Sequence, residues 1–377
     1  MECELGKLIS AALIVRDEEK FLAGCLDSLD GLVDEIVVVD TGSTDRSKEI
    51  AAAQGAHVFE HQWRDDFAEA RNYAIDRALG DWILYIDADE RVRPYDRGRL
   101  ERELADSSLC VATVRFHPRT GFTAYPEHRL FRRDPRIRFR GAIHETIMPD
   151  IARIVAAGEG RRRSLELTID HLGYDGDQSH KLDRNLRLLE KEVTVDPGRA
   201  YLWWHIGTVY SALGRIAEAE AAWLRGVEIA RRHPGSRPED GLCFVELAKL
   251  RISRGEDALP LIREGIERQP ENLLLCWLEA RALVVAGRHA EAIPLFERLA
   301  AIDSDILLAD TAYDRRILGA DAHAEAALCA FLLGRYRDSE DWYRRAEERA
   351  PDRLEFRVKR QLAAQRAARQ QTECSHG

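Results

Sequence analysis

The sequence predicts two architectures in series: an α/β unit with a doubly wound, mostly parallel sheet, then an all-α solenoid of stacked helix pairs. Three observations carry this reading. Short apolar runs alternate with helical periodicities through the first half. From Gln178 the composition turns to Ala, Leu, Arg and Glu. A Gly-Arg-x-Ala-Glu-Ala hexapeptide then recurs, at Gly214–Ala219 and Gly287–Ala292. A chain of 377 residues is also long enough for two domains.

The elements of the first half follow in order. Leu8 to Val15 is a strand that ends at Arg16-Asp17-Glu18-Glu19. Phe21 to Leu29 has helical spacing. Glu35 to Val39 is a second strand, and it delivers Asp40. Ser43 is placed to cap a helix over Thr44 to Gln54, which Gly55 closes. Ala56 to His61 is a third strand. Phe67 to Leu79 is a helix capped by Asp65 or Asp66 and stopped by Gly80. Trp82 to Ile86 is a fourth strand, apolar enough to be buried on both faces, and it runs into Asp87-Ala88-Asp89-Glu90. A helix is expected within Arg91 to Leu104. Strand-like alternation returns at Leu109 to Phe116 and at Leu165, Leu167 and Ile169, just before His171.

Acids therefore stand at the carboxyl ends of strands one, two and four, the edge where open α/β sheets bind ligands. In an extended segment Asp87 and Asp89 alternate and can reach one ion. Their hard oxygens suit Mg²⁺ or Mn²⁺, which usually bind substrate phosphates as well. A solvated acidic turn is the plainer reading of this pair alone. No Gly-x-Gly-x-x-Gly follows the first strand and no Gly-x-x-x-x-Gly-Lys is present, which disfavours a dinucleotide fold and excludes a P-loop.

Four segments together resemble the nucleotide-sugar half of family 2 glycosyltransferases with the GT-A fold. They are Ala12–Glu19, Val38–Asp45, Ala70-Arg71-Asn72 and Asp87–Glu90. The resemblance covers about the first 175 residues and implies roles position by position. Asp40 would bond the uracil edge, with Asp17 near the base. Arg71 would face the diphosphate. Asp87 would lie by the ribose and the metal, and Asp89 would be a direct metal ligand. Val15, Glu19 and Ala88 complete the implied donor-binding set. His128 to Arg133 followed by Phe139 to Glu145 is similar to the branch that carries tetratricopeptide repeats, which includes peptide S-glycosyltransferases. There the resemblance implies Glu145, beside His144, as the catalytic base, and His171 as a late ligand of the metal or diphosphate. The branch's usual Asn before Glu-Glu is Asp17 here, and the segment Arg119 to Glu127 is short.

In the second half the hexapeptide returns more loosely at Gly334–Ser339 and at Gly255–Ala258. Pro197, Pro234, Pro270 and Pro351 each follow a helix-like segment. Gly at the inner turn and Pro at the outer turn, near a ~34-residue period, is the tetratricopeptide signature. About four pairs are expected from Lys181 onward, with an extra turn or loop at Ser304 to Leu318 and a final capping helix over Asp352 to Arg369. Trp203, Trp204, Trp223, Trp277 and Trp342 sit at helical spacing as core residues; lining a peptide groove is the alternative. The domain expectation is thus 1–175 transferase, 176–369 repeats and 370–377 a disordered tail.

Composition restricts the partners. A formal charge of -10 argues against nucleic acid, which needs concentrated Lys and Arg. No apolar run approaches the ~20 residues of a membrane span. With no secretory h-region at the N-terminus and seven scattered Cys, a cytoplasmic chain with reduced thiols is expected. The expected activity is inverting, metal-dependent transfer from a nucleotide sugar, UDP-linked, to a peptide or protein hydroxyl or thiol presented by the repeats. Transfer to a glycan or lipid-linked saccharide, an inactive interaction scaffold and a sugar nucleotidyltransferase are the competing readings. The repeats equally suit a homodimer interface.

Overall fold

The computed structural model describes residues 8–173, 179–232, 237 and 239–376. By backbone contacts the chain forms two compact units. One comprises Met1–Thr120, Ala124–Asp196 and Leu308–Asp310; the other comprises Gly121–Thr123, Pro197–Leu307 and Thr311–Gly377.

The first unit is built on one eight-stranded sheet. Its strands are β1 (Ile9–Val15), β2 (Glu35–Asp40), β3 (His57–Glu60), β4 (Trp82–Tyr85), β5 (Glu90–Val92), β6 (Leu109–His117), β7 (Tyr125–Arg132) and β8 (Arg161–His171), in the order β3-β2-β1-β4-β7-β6-β8-β5. Helices α1 (Leu22–Asp27), α2 (Ser47–Ala53), α3 (Phe67–Ile75), α4 (Arg97–Leu104), α5 (Met148–Ala156) and α6 (Ser179–Val195) complete it. The parallel half, β3-β2-β1-β4, matches the sequence expectation. Beyond β4 the sheet is mixed: β7 runs antiparallel to β4 and β6, while β6 and β8 pair in parallel.

The parallel half is built on β1, β2 and β4, which are apolar on both faces, with the shorter, more exposed β3 at its edge. Ile9, Ala11, Leu13 and Val15 of β1 pack into the cluster that holds Leu22, Cys25 and Leu26 of α1. Ala12 packs into the opposite cluster, with Ala68 and Ala74 of α3. Trp82 and Leu84 against Ile83 divide β4 in the same way.

One local expectation is corrected and two are narrowed. Ser43 does not cap α2, which starts at Ser47 without a side-chain cap; the Ser43 hydroxyl instead accepts the Asp17 amide at 3.0 Å. The helix expected within Arg91 to Leu104 runs from Arg97, capped by Asp96, to Leu104, and before it the buried, alternating Glu90 and Val92 pair with β8 as a short strand. Of the two acids expected to cap α3, Asp66 is the one that does.

The compositional boundary at 175/176 lies outside the described residues. Contacts instead divide the chain after Asp196, and α6 stays with the sheet because Glu192 Oε2 accepts the Ala142 amide at 2.8 Å.

The second unit comprises helices α7 (Ala200–Ala212), α8 (Ile216–Arg232), α9 (Asp240–Ser253), α10 (Leu259–Arg268), α11 (Leu273–Val285), α12 (His289–Ala300), α13 (Ala320–Leu332), α14 (Tyr336–Arg349) and α15 (Leu354–His376). They form the four expected pairs plus a terminal helix. Gly214, Gly255, Gly287 and Gly334 occupy the inner turns with φ of 71–75°, a left-handed conformation that other residues adopt at a cost. Residues 303–314 form the expected loop, closed by a 3-10 turn at Arg315–Leu318. Trp223 is core, and Trp204, Trp277 and Trp342 pack against the same cluster half-buried. The expected disordered tail is corrected: α15 continues through to His376, in a stretch rich in the helix formers Ala, Gln and Arg, with Ala363 and Ala367 buried. Pro234 lies outside the described residues.

Candidate active site

The site lies at the carboxyl end of β1, β2 and β4. Two loops meet there. The loop after β1 carries Asp17 with φ 56°, a left-handed conformation that Asp and Asn tolerate better than most residues. The Asp17 carboxylate accepts the Thr44 amide at 2.7 Å and the Thr44 hydroxyl at 3.1 Å. Glu18 N donates to Ser47 Oγ, Glu19 N donates to Asp45, and Arg46 N donates to Glu19. Asp40 is buried, and its carboxylate accepts the Gly42 and Ser43 amides at 3.0 Å. The first two strand ends are thereby locked into one rim. Val15 turns into the core, with its carbonyl taking both the Thr41 amide and hydroxyl. Ala88 is buried as well.

Arg71 is the centre of the next group. Its Nε donates to Glu145 at 2.5 Å and its Nη2 to Asp87 at 2.9 Å, while Nη1 is buried without a partner among the described residues. The guanidinium lies 5.1 Å from the Tyr85 ring centre and 5.6 Å from that of Phe139. Next to it in the chain, Asn72 exchanges two hydrogen bonds with the Phe139 backbone. Successive residues of α3 thus hold both ends of the segment that carries Glu145. Within that segment Arg140 and Thr146 pair across a bridge, and His144 takes φ 53°. Glu145 is nearly buried, with 11% of its side chain exposed.

Asp89 and His171 form a third group, with Oδ2 and Nε2 3.3 Å apart. The β5–β8 ladder makes this pairing: Glu90 opposes His171, and the Leu172 amide donates to the Asp89 carbonyl at 2.8 Å. His171 Nδ1 faces the Pro118 carbonyl at 3.2 Å, so a proton on Nδ1 leaves the Nε2 lone pair toward Asp89. Gly173 backs onto this pair; a Cβ there would stand 1.8 Å from Asp89 Oδ2. The charges are coupled. Burial opposes it, but the Asp89 carboxylate holds the His171 imidazole above its usual range. Burial would raise Asp87, yet Arg71 and Arg129 outweigh it and hold the carboxyl below its usual range. Glu18 is pushed up to about 7 by burial and then by Asp89, with Asp87 and Asp45 adding to it and Lys181 opposing.

The candidates of the sequence reading thus fall into three groups. Arg71, Asp87 and Glu145 are in direct contact, as are Asp89 and His171, and Asp17, Glu19 and Asp40 form the rim. Among the described residues no three His, Cys, Asp or Glu side chains converge as a ready-made metal cage. Asp87 spends one oxygen on Arg71 and does not join the Asp89–His171 pair. That pair nevertheless fits a divalent cation: cis ligands with ~2.1 Å bonds lie about 3 Å apart, and such ions complete their shells with phosphate and water. Sequence reasoning missed Glu18, Asn72, Glu90 and Gly173. A His-x-Gly spacing at the end of β8 was the available signal for the last.

A four-stranded parallel core continued by a mixed set of strands, with acids at the carboxyl edge, makes the first unit a GT-A-like domain. Residues 10–165 match the family model of glycosyl transferase family 2, and residues 200–233 and 247–305 match tetratricopeptide repeat models. The first unit is accordingly a family 2 glycosyltransferase domain, and tetratricopeptide repeats follow it. A TPR repeat-containing protein of Synechococcus elongatus is 34% identical over 255 residues, 66% of this chain and 62% of that protein. The SPbeta prophage-derived glycosyltransferase SunS of Bacillus subtilis is 27% identical over 226 residues, 56% of this chain and 51% of that protein. The chain thus spans less than two thirds of either relative's length. Among solved structures, glucosyl-3-phosphoglycerate synthase from Mycobacterium tuberculosis is 18% identical with a TM-score of 0.37, covering 50% of this chain and 80% of that one, a superposition too loose to transfer any residue. No described helix is long and apolar enough to cross a membrane.

Proposed function

We propose that the chain is an inverting, divalent-metal-dependent glycosyltransferase. It takes a sugar from a UDP-linked donor and places it on a peptide or protein hydroxyl or thiol, with the repeats engaging the acceptor chain. The observation that carries the reading is the side-by-side placement of the Asp89–His171 pair and the Arg71-bridged Asp87–Glu145 pair, joined by the β4–β5 turn.

In this mechanism the locked rim of Asp17, Glu19 and Asp40 holds the nucleoside. Asp89 and His171 would hold the metal, whose charge neutralises the diphosphate when bound. Arg71 adds a cation beside it, with Nη1 still unpaired. Glu145 accepts the proton of the acceptor hydroxyl or thiol as that oxygen or sulfur attacks the anomeric carbon. The bond from carbon to the diphosphate oxygen breaks, its electron pair leaves with the diphosphate, and the anomeric configuration inverts. The repeat unit supports a peptide acceptor because stacked helix pairs suit extended chains.

The test is release of nucleoside diphosphate from a panel of nucleotide sugars, with and without Mn²⁺. Peptides bearing Ser, Thr or Cys and oligosaccharides are added in turn. Metal-dependent release from a UDP-sugar that a peptide accelerates is the expected result. Acceleration by saccharides alone would overturn the acceptor class. Neither release nor donor binding would overturn the activity.

A further inference from the structure

We infer that the buried Arg129–Glu90 pair is a positioning device that sets the turn presenting Asp87 and Asp89; the inference rests on the metal role proposed for Asp89. Arg129 stands on β7 and Glu90 begins β5, and neither belongs to the rim or to the Arg71 cluster. Both are almost sealed, with 8% and 1% of their side chains exposed. Arg129 Nη2 donates to Glu90 Oε1 at 2.6 Å. Glu90 Oε2 turns the other way and accepts the Asp87 amide at 2.9 Å. The Glu90 amide in turn donates to the Asp87 carbonyl at 3.0 Å. Residues 87–90 are thus tied at both ends, and the Glu90 side chain makes one of the ties.

The backbone extends this control to the other presumptive ligand. Glu90 is the β5 residue paired with His171, so whatever fixes Glu90 fixes the register that brings His171 to Asp89. Arg129 is itself immobilised, its guanidinium 4.6 Å from the Tyr85 ring centre and 4.8 Å from that of Phe116. Its Nε and Nη1 are buried without partners among the described residues. Leaving two charged N–H groups unpaired is costly, and a buried ion pair is a poor source of stability when a hydrophobic pair of similar volume would serve. The arrangement is therefore better explained by what it orients. It does so through an acceptor oxygen, and that oxygen can be kept or removed separately from the charge.

The experiment compares E90Q/R129M with E90M/R129M. Both remove the buried charges, but only the first keeps an oxygen for the Asp87 amide. The readout is the Mn²⁺ concentration that half-saturates UDP binding, by calorimetry on full-length protein whose thermal midpoint is recorded alongside. We expect E90Q/R129M to stay near wild type and E90M/R129M to need about tenfold more Mn²⁺ or beyond, the usual effect of losing a group behind a metal ligand. Equal midpoints in two folded variants would overturn the positioning role. If E90M/R129M does not fold, E90Q/R129Q and E90L/R129Q replace the comparison. Only the first keeps an oxygen for the Asp87 amide, so E90L/R129Q should raise the Mn²⁺ requirement and E90Q/R129Q should not; a reversal or no difference would overturn the inference. Wild-type protein separates the two readings: failure to bind UDP with Mn²⁺ at all sinks the metal assignment, whereas normal wild-type binding with unaltered variants sinks only the role of the pair.

Discussion

Left-handed backbone is distributed differently in the two units. In the repeat unit it falls on glycines, one at the inner turn of each helix pair. In the sheet unit glycines adopt it too, and among the described residues so do three others: Asp17, Asp65 and His144. Two of these flank candidate donor and catalytic positions. Charge follows the same division. In the repeats, Arg215–Glu218, Arg288–Glu291 and Arg335–Asp338 repeat one exposed i,i+3 pair directly after the turn glycine. In the sheet unit, Arg71 and Arg129 are sealed against Glu145, Asp87 and Glu90. One half spends glycine where the chain must turn and leaves its charges in water. The other carries strain and buried charge at one edge of one sheet, where such costs accompany function.

This contrast breaks most sharply at Asp89. Asp89→Ala should reduce transfer by on the order of 10³-fold at saturating Mn²⁺, if losing the metal's charge costs several kcal/mol. Wild-type turnover in that variant would remove the metal from the edge. Glu145→Gln should lower turnover by roughly 10²- to 10⁴-fold, the usual contribution of a general base, while calorimetry shows donor affinity unchanged; undiminished turnover would move the base elsewhere.

Not every titratable group of the repeats lies in water. His323 is buried in α13, its ring 5.2 Å from that of Trp342. Burial, with Arg349 and Arg345 nearby, holds it down at about 4. A folded-state value below the ordinary one means that acid protonates the unfolded chain first. Stability should be full above about pH 6.5 and fall by about 2 kcal/mol between about pH 7 and about pH 5. Urea midpoints at the two pH values test this, and His323→Gln should remove that share of the loss. Gly334→Ala, with φ 75° at the turn, should cost about 1 kcal/mol in the same assay; no change would mean the turn relaxes freely. Arg288→Ala should leave the urea midpoint nearly unchanged, since its partner Glu291 is half exposed. A larger loss would show that the recurring pair does more than solvate the turn.

What the sequence made legible follows from range. Strands β1, β2 and β4 announce themselves because apolar residues run through both faces, and Asp17, Asp40, Asp87 and Asp89 stand where those runs stop. Repeat turns are legible because Gly-Arg recurs. Glu18 was not singled out because three acids stand in succession after Arg16, and which one turns inward depends on the left-handed Asp17. The short strand β5 was not anticipated because only three residues pair. The Arg129–Glu90 contact joins residues 39 apart in sequence and on separate strands, a distance over which no periodicity speaks. Ser43 looked like a cap because its local pattern is that of one, but the nearby Asp17 amide claimed its hydroxyl.

The hydrogen bond from the Ala142 amide to Glu192 bears on where the catalytic half can be excised. A cut at the compositional boundary would remove α6 and with it the acceptor that anchors the segment leading to Glu145. The smallest fragment that keeps the site's own bonding ends beyond Glu192, at the contact division after Asp196. A nick between Gly173 and α6 would separate the base-bearing segment from its tether while leaving every candidate site residue in the chain.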